Sequence, residues 1–583
     1  MSDPTQAAAS LALSTELGED ALILLRLSGE ERLSAPFRFE LEAEAEGAPD
    51  VAGLLGEPAA IRLTGGEGIE RRLHGRVWSV RRSGSAVSLL VRPWLSLLTL
   101  RSDNRIFQEK TTEEIVTQVF DDAGFPDYRF ALTGTLEPRP YCVQFGETDF
   151  AFVSRLLEEE GLGYFFAHDT AKHDLVIFDD VSACAAVPGG AVPFLPLPRT
   201  ADFAEDRRIQ SLAERSEMAA ALVSARDYNF ETPAETLEVS VGDGGGHYVY
   251  PGRYPTTANG ESAVTRRLAA LEAEAFAIEG ASPLRLMASG ATFALSDHPS
   301  SALNQDYLIR AVTHEAERRL YSNRFEAQPK EMAWRPPLAT PRPRMPGPQT
   351  AKVVGKDGEE IWTDKHGRIK VQFHWDRLGE SDENSSCWLR VAQGWAGAGW
   401  GALFVPRIGS EVVVSFLDGD PDRPLVTGVV YNADNVPPYE LPGEQTKTTV
   451  KSNSSKDAEG FNELRFEDKA GEEEVYLHAQ KDMNVEIVEN RTVTLEKGDD
   501  KLTVSTGSLT IEVKGDITIK SDGSISISAG GSLELKAGSG ATLEAGSSLD
   551  MKGGSTFSLK GSASGAVDGG GALTVKGGTV QIN

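Results

Sequence analysis

GGSLELKAGSGATLEAGSSLDMKGGSTFSLKG, Gly530 to Gly561, is the stretch on which the fold turns. Each unit of eight reads as a turn, then apolar-polar-apolar, then a charge in most units. Alternation with period two marks a strand with one buried face, and glycines between strands supply turn conformations other residues resist. The register extends from Leu509/Ile511 through nine successive pairs to Leu573/Val575. Upstream, Leu477/Ala479, Val485/Ile487 and Val493/Leu495 keep the period, and Leu502/Val504 slips by one; Val580/Ile582 arrives one residue early. From Ser521 to Asn583, 27 of 63 residues are Gly or Ser. Regular octads are a repeat, not low complexity.

Eight residues make one strand and one corner, whereas solenoids that close on themselves use repeats of about 20 residues or more. Two apolar side chains per unit do not offset the entropy of fixing eight backbones. Neighbouring chains must supply the remaining packing. Three chains, each one wall of a triangular prism, close the shape with an apolar interior, so the octads predict an intertwined homotrimeric β-helix. Its core is assigned to Ile517/Ile519, Ile525/Ile527, Leu533/Leu535, Leu549/Met551, Phe557/Leu559 and Leu573/Val575, with Leu543 and Val567. At ~4.8 Å per strand, fourteen rungs give a rod roughly 60–70 Å long. The last rung, Val580, Gln581, Ile582 and Asn583, leaves strand edges open, and open edges invite a capping partner.

Working outward, Asn432–Gly443 (NADNVPPYELPG) marks one change of composition and Trp334–Pro348 (WRPPLATPRPRMPGP) another, the latter too proline-rich for a helix or central strand. Between them, Arg368–His374, Cys387–Val391, Gly401–Val405, Glu411–Phe416 and Leu425–Val430 read as five short strands, the pattern of a small closed barrel such as an OB-fold. The first part mixes short strands with helices. Thr111–Gly124 and Glu147–Gly161 have helix start signals, helically spaced apolar residues and glycine stops. A third helix is expected near Val264–Ile278, and strands at Tyr164–Ala167 and Leu175–Phe178. The fold class is therefore mainly β. An N-terminal region of β-barrels with a few helices spans 1–335 and a Pro/Arg-rich linker 336–349. An OB-fold barrel follows at 350–432, a connector at 433–450 and the octad-repeat β-helix at 451–583.

The chain has 583 residues and a formal net charge of -29. Length at about 100–200 residues per domain predicts three to five domains. The acidity argues against nucleic acid and anionic membrane surfaces as partners, since both are bound through clustered Lys and Arg. No apolar run approaches the ~18 residues of a membrane span, and MSDPTQAAASLALSTELGED has no signal-peptide pattern. Cys142, Cys184 and Cys387 form no C-x-x-C pair and read as buried thiols in a reducing compartment.

Catalytic patterns are not found. Gly561–Gly565 reads GSASG, with Ala where a nucleophile elbow needs Ser. His314-Glu315 opens like a zinc-protease helix, but Arg318 stands where the second His belongs, so the pair reads as surface or strand. Asp418, Asp420 and Asp422 resemble a calcium loop, but Arg423 replaces its glycine and Val429 its bidentate acid; a turn is the reading. GWAGAGWG, Gly394–Gly401, reads as a flexible loop with interface anchoring as the alternative. Glu158–Glu160 reads as a solvated run at a helix end, and His366 and His374 as structural histidines. No catalytic, metal-binding or cofactor-binding residue is assigned and no cofactor is expected.

These segments together resemble the VgrG family, the spike proteins of type VI secretion, which are related to contractile-phage hub and needle proteins. The carrying motifs are DNRIFQEKTTEEIV (Asp103–Val116), ETDFAFVSRLLEEEGLGYFF (Glu147–Phe166), DKHGRIKVQFHWDR (Asp364–Arg377) and SSCWLRVAQGWAGAGWGALFVPRIGSEVVVSFLDGDPDRPLVTGVVYN (Ser385–Asn432). The resemblance implies a homotrimer whose hub sits on a hexameric Hcp tube among baseplate components. It implies a PAAR-repeat tip protein on the needle, effector or adaptor proteins as cargo, and transient contact with a target membrane as the spike punctures it. It further implies assembly in the cytoplasm and export without a signal peptide, by force and without catalysis. Ala433–Val450 is too short for the lysozyme domain some phage relatives carry, and with Asn583 lying within the repeat the sequence resembles the structural type of the family, for which no fused toxin is expected. The alternatives are a phage-tail hub-spike, separable by neighbouring genes, a carrier of a cell-wall hydrolase, separable by peptidoglycan turbidity, and a β-helical adhesin, which would need a receptor-binding head.

Overall fold

The computed structural model describes residues 5–7, 9–65, 69–196, 207–318 and 320–582. Alternation builds the hub. In Ala35–Ala45 (APFRFELEAEA), Phe37, Phe39, Leu41, Ala43 and Ala45 are buried while Arg38, Glu40, Glu42 and Glu44 face water. That strand belongs to a twelve-stranded sheet in which Leu22–Arg32 pairs antiparallel with Asp306–Glu317, so the two ends of the hub sequence meet. Two helices lie against it. Helix α1, Thr112–Ala123, starts in a capping box between Thr111 and Glu114 and ends at Gly124, whose φ of 78° a side chain would resist. Helix α2, Asp149–Glu160, is capped by Thr148 and ends at Gly161 with φ 69°. Ile115, Val116, Val119 and Phe120 of α1 and Phe152, Val153, Leu156 and Leu157 of α2 enter one core with the sheet. Helix α3, Thr257–Ala275, begins earlier than expected, and Phe276–Ile278 open the strand Phe276–Ser282 instead of closing the helix.

Residues 334–348 hold neither helix nor strand, as proline dictates, but they form a packed strap: Met345 is buried and its N–H donates to the Gly419 carbonyl at 2.8 Å. The barrel then starts on Gln349–Val354, a strand that periodicity missed because it abuts the proline run. It forms a five-stranded sheet with Lys370–Phe373, Glu411–Phe416, Pro424–Val430 and Arg390–Val391 around Val353, Val371, Phe373, Val412, Val414 and Val426. The expected strand Gly401–Val405 is not a strand; Gly401 instead makes a single bridge to Ala396 in a tight hairpin.

Lys447–Lys451, Glu463–Glu467 and Glu474–His478 form an antiparallel meander, so the first part of the predicted needle pairs within one chain. The chain divides into two compact units, Met1–Met483 and Asn484 onward. In the second unit the described residues, 484–582, form no strand pair within the chain.

Candidate functional site: an ion-paired junction and an unpartnered octad tail

The acidic end of α2 is a correction to the expectation of a solvated charge run. Glu159 is bound by Arg139 at 2.8 Å and by Arg342 of the strap at 2.7 Å. Glu160 takes the other arm of Arg139 at 2.7 Å, and Glu158 accepts from the Thr340 N–H at 2.8 Å and its hydroxyl at 2.6 Å. Arg342 reaches on to Asp422 of the barrel at 3.0 Å, and Arg253 binds Asp420 at 3.1 Å. The Asp418–Asp422 turn is therefore a turn with a function: Asp422 also accepts from the Val143 N–H of the hub at 2.7 Å. Arg155, 1% exposed, sits beneath the cluster on Glu147 at 2.8 Å. The arginines decide its electrostatics. Burial alone would raise the Glu159 carboxyl, but Arg342, Arg139 and Arg155 outweigh it and hold the group at about 2. Burial and the neighbouring Asp420 lift Asp422, with Arg342 and Arg155 opposing. Hub, strap and barrel are thereby joined through paired charges, and a buried pair that loses one partner costs far more than it contributes intact.

A second interior network stabilises the hub sheet. His314 lies in a strand, as one alternative had it, but is fully buried rather than surface; its Nε2 is 2.8 Å from Glu31 and its Nδ1 2.7 Å from the Tyr321 hydroxyl. Glu31 also binds Arg71 at 2.5 Å. Burial would raise the Glu31 carboxyl, but Arg71 and His314 bring it to about 2. His374, exposed, meets the Thr350 hydroxyl at 3.1 Å, and exposed His366 packs on the Phe230 ring at 5.6 Å. Burial pushes Cys142, Cys184 and Cys387 each up to about 12, the behaviour of inert thiols. Among the described residues no group of three or more His, Cys, Asp and Glu could hold a metal, and no helix is long and apolar enough to cross a membrane.

The meander has one satisfied face and one open one. On the first, Glu463 accepts from Tyr439 and from Thr449 at 2.8 Å, and Arg465 pairs with Glu474 at 2.6 Å over the Tyr476 ring. On the second, register aligns Val450, Leu464 and Leu477 in one row and Phe466 with Val475 in the next, all exposed in the single chain. The octads behave likewise. The assigned core residues Ile517, Ile519, Ile525, Ile527, Leu533, Leu535, Leu543, Leu549, Met551, Phe557, Leu559, Val567, Leu573 and Val575 are all exposed in the isolated chain, Leu535 by 79% and Ile527 by 70%. Val580 and Ile582 of the last rung are exposed as well, and Asn583 lies outside the described residues. The junction has no local signature, because its partners Arg139, Glu159, Arg342 and Asp422 are scattered along the chain. The signal available was arginine at 342 and 344 in a strap that must run past an acidic helix end.

Three segments of the chain match known families. Residues 30–320 match the phage tail baseplate hub family, residues 350–431 the type VI secretion system/phage-baseplate injector OB domain, and residues 448–559 the bacteriophage T4 gp5 C-terminal trimerisation domain. The type VI secretion system spike protein VgrG1b of Pseudomonas aeruginosa is 41% identical over 508 residues, 82% of this chain and 68% of that one. A Vibrio cholerae relative named actin cross-linking toxin VgrG1 is 36% identical over 556 residues, 87% of this chain but 50% of the toxin. An E. coli component of the type VI secretion system, described as structurally similar to the T4 tail proteins gp27 and gp5, superposes with a TM-score of 0.53 at 24% identity, covering 72% of this chain and 99% of that one. With a mainly β hub, an OB-fold barrel and a trimerisation tail in that order, the chain belongs to the VgrG family of type VI secretion system spike proteins.

Proposed function

We propose that three copies of this chain form the spike at the head of a contractile type VI tube, and that the spike works by transmitted force rather than catalysis. The observation that carries the reading is the period-eight row of large apolar side chains left open to water, continuing the motif of the meander's open apolar face. Large apolar side chains left exposed in a regular repeat mark an interface. Three tails wound together bury the row and give every strand a neighbour. The junction of Glu159, Arg342 and Asp422 ties hub to barrel and supports their moving as one body under axial load.

Under this reading the hub (1–335) seats on a hexameric Hcp tube and contacts baseplate components, the strap (336–349) and barrel (350–432) adapt it, and the connector (433–450) leads to the needle (451–583). Val580, Gln581, Ile582 and Asn583 receive a PAAR-repeat tip protein, with effectors or adaptors as cargo. The assembly forms in the cytoplasm and leaves with the tube, touching the target membrane only as it punctures it. Glu159, Asp420 and Asp422, each engaged by arginine, support a structural role for these acids.

A cell lacking the chain is expected to stop releasing tube protein into the medium. The wild-type chain restores release and Ile525→Asp with Ile527→Asp does not; restoration by that variant contradicts the reading. Val580→Asp with Ile582→Asp keeps the trimer and weakens capture of the tip protein. Unchanged capture sinks that assignment. Purified trimer leaves peptidoglycan turbidity unchanged, and clearing would contradict the non-enzymatic part.

A further inference from the structure

Gln393–Val405 (QGWAGAGWGALFV) contains no charged residue, in a chain where one residue in four is charged. It is a built hairpin. The Gly397 N–H donates to the Trp400 carbonyl and the Ala402 N–H to the Trp395 carbonyl, both at 2.9 Å. The Phe404 N–H donates to Gln393 Oε1 at 2.9 Å, and Gln393 Nε2 returns a bond to the Phe404 carbonyl at 3.2 Å. Two glycines are required. A Cβ on Gly397 would stand 2.3 Å from the Trp400 ring, and one on Gly401, at φ 132°, would stand 2.5 Å from the Trp395 carbonyl oxygen. The hairpin presents Trp395 at 65% exposure, Trp400 at 58%, Leu403 at 72% and Phe404 at 63%, with the two indole rings 5.2 Å apart. An ordered, uncharged surface with two tryptophans has the composition of an interface centre, not of a flexible loop.

We infer that this hairpin is a contact between barrels of neighbouring copies of the chain, an inference that rests on the trimer reading. The hairpin runs directly into Arg407, which donates to the Asn453 carbonyl at 2.6 Å. Asp457 is likewise held to the barrel, its N–H donating to Glu360 at 2.9 Å. Both partners lie inside the segment that matches the trimerisation domain. The barrel is thus hydrogen-bonded to the start of the segment that matches the trimerisation domain, so copies that assemble through that segment bring their barrels together. Charge selects the occupant. Copies that each carry -29 approach one another at uncharged surface, whereas a partner of basic composition would be drawn to the acidic remainder.

The test is site-specific photo-cross-linking in the full chain, with benzoylphenylalanine replacing Leu403 in one preparation and Leu535 in another. Leu403 lies beside the hairpin's hydrogen bonds without making a side-chain one, so the fold is kept. The expected result is a shift of the Leu403 preparation to two-chain and three-chain bands, with the adduct mapped to barrel residues of the second copy. Cross-linking at Leu535 but not at Leu403 overturns the hairpin contact and leaves the trimer standing. An adduct from Leu403 to a different protein in cells, with none between copies, overturns it in favour of that partner. Failure at both positions together with a one-chain mass overturns the contact and the trimer reading at once.

Discussion

The hub strand Ala35–Ala45 and the octads share one pattern, alternating apolar and polar residues, and differ in its fate. Phe37, Phe39 and Leu41 are at most 1% exposed, whereas Leu533, Leu535 and Leu559 are more than half exposed. The difference is the supply of partners. Ala35–Ala45 has paired strands on both sides, Leu22–Arg32 and Ala86–Arg92, and two helices in its core. An octad offers one strand and a corner, then the next octad. Alternation identifies a strand, and the length of chain around it decides whether its partners come from the same molecule.

Ile525→Asp with Ile527→Asp separates the two cases most sharply. Six carboxylates would enter the trimer interior, so the assembly is expected to be lost while the hub stays folded by circular dichroism. Phe39→Ala does the reverse, costing about 3–5 kcal/mol of hub stability in chemical unfolding. Retained trimer in the first variant would break the comparison. Arg342→Ala acts on the junction. It leaves Glu159 and Asp422 short of one partner each; these side chains are only partly buried and keep Arg139 and the Val143 N–H, so the cost is about 1–3 kcal/mol, below that of a fully buried pair. Unchanged stability would show that the Arg342 pairs do not hold hub to barrel.

The smallest effect is in acid. Glu31 and Glu159 lie near 2 in the folded chain against an ordinary glutamate value of 4.5, so the stability they contribute is full above 4.5 and drains away as pH falls toward 2. Asp422, lifted by burial and Asp420, takes up its proton earlier than the unfolded chain does and does not share that slope. Glu159→Gln is expected to flatten the acid loss of stability over this interval, and an unaltered slope would count against the pairing.

What could be read without coordinates was what is local. The caps at Thr111 and Thr148 and the stops at Gly124 and Gly161 lie within one turn of the helices they bound, so those helices fall within a residue or two of expectation. The octads announce themselves by repetition. Pairing of Leu22–Arg32 with Asp306–Glu317 joins residues nearly three hundred apart, and no local signal encodes it. The same distance hid the junction: Glu158–Glu160 looked solvated because Arg139 and Arg342 reach them only through the fold. The expected strand Gly401–Val405 is instead one arm of a hairpin, because Gly401 turns back to bridge Ala396 and Phe404 is tied to Gln393.

The most direct test of the central claim is the solution mass of the full chain by light scattering after size exclusion, repeated on a fragment starting at Thr446 so that the meander is whole. Three chains of 62.7 kDa give about 188 kDa, the mass expected for the full chain, with a three-chain mass for the fragment. A full chain of 62.7 kDa with an extended, protease-sensitive tail would contradict it.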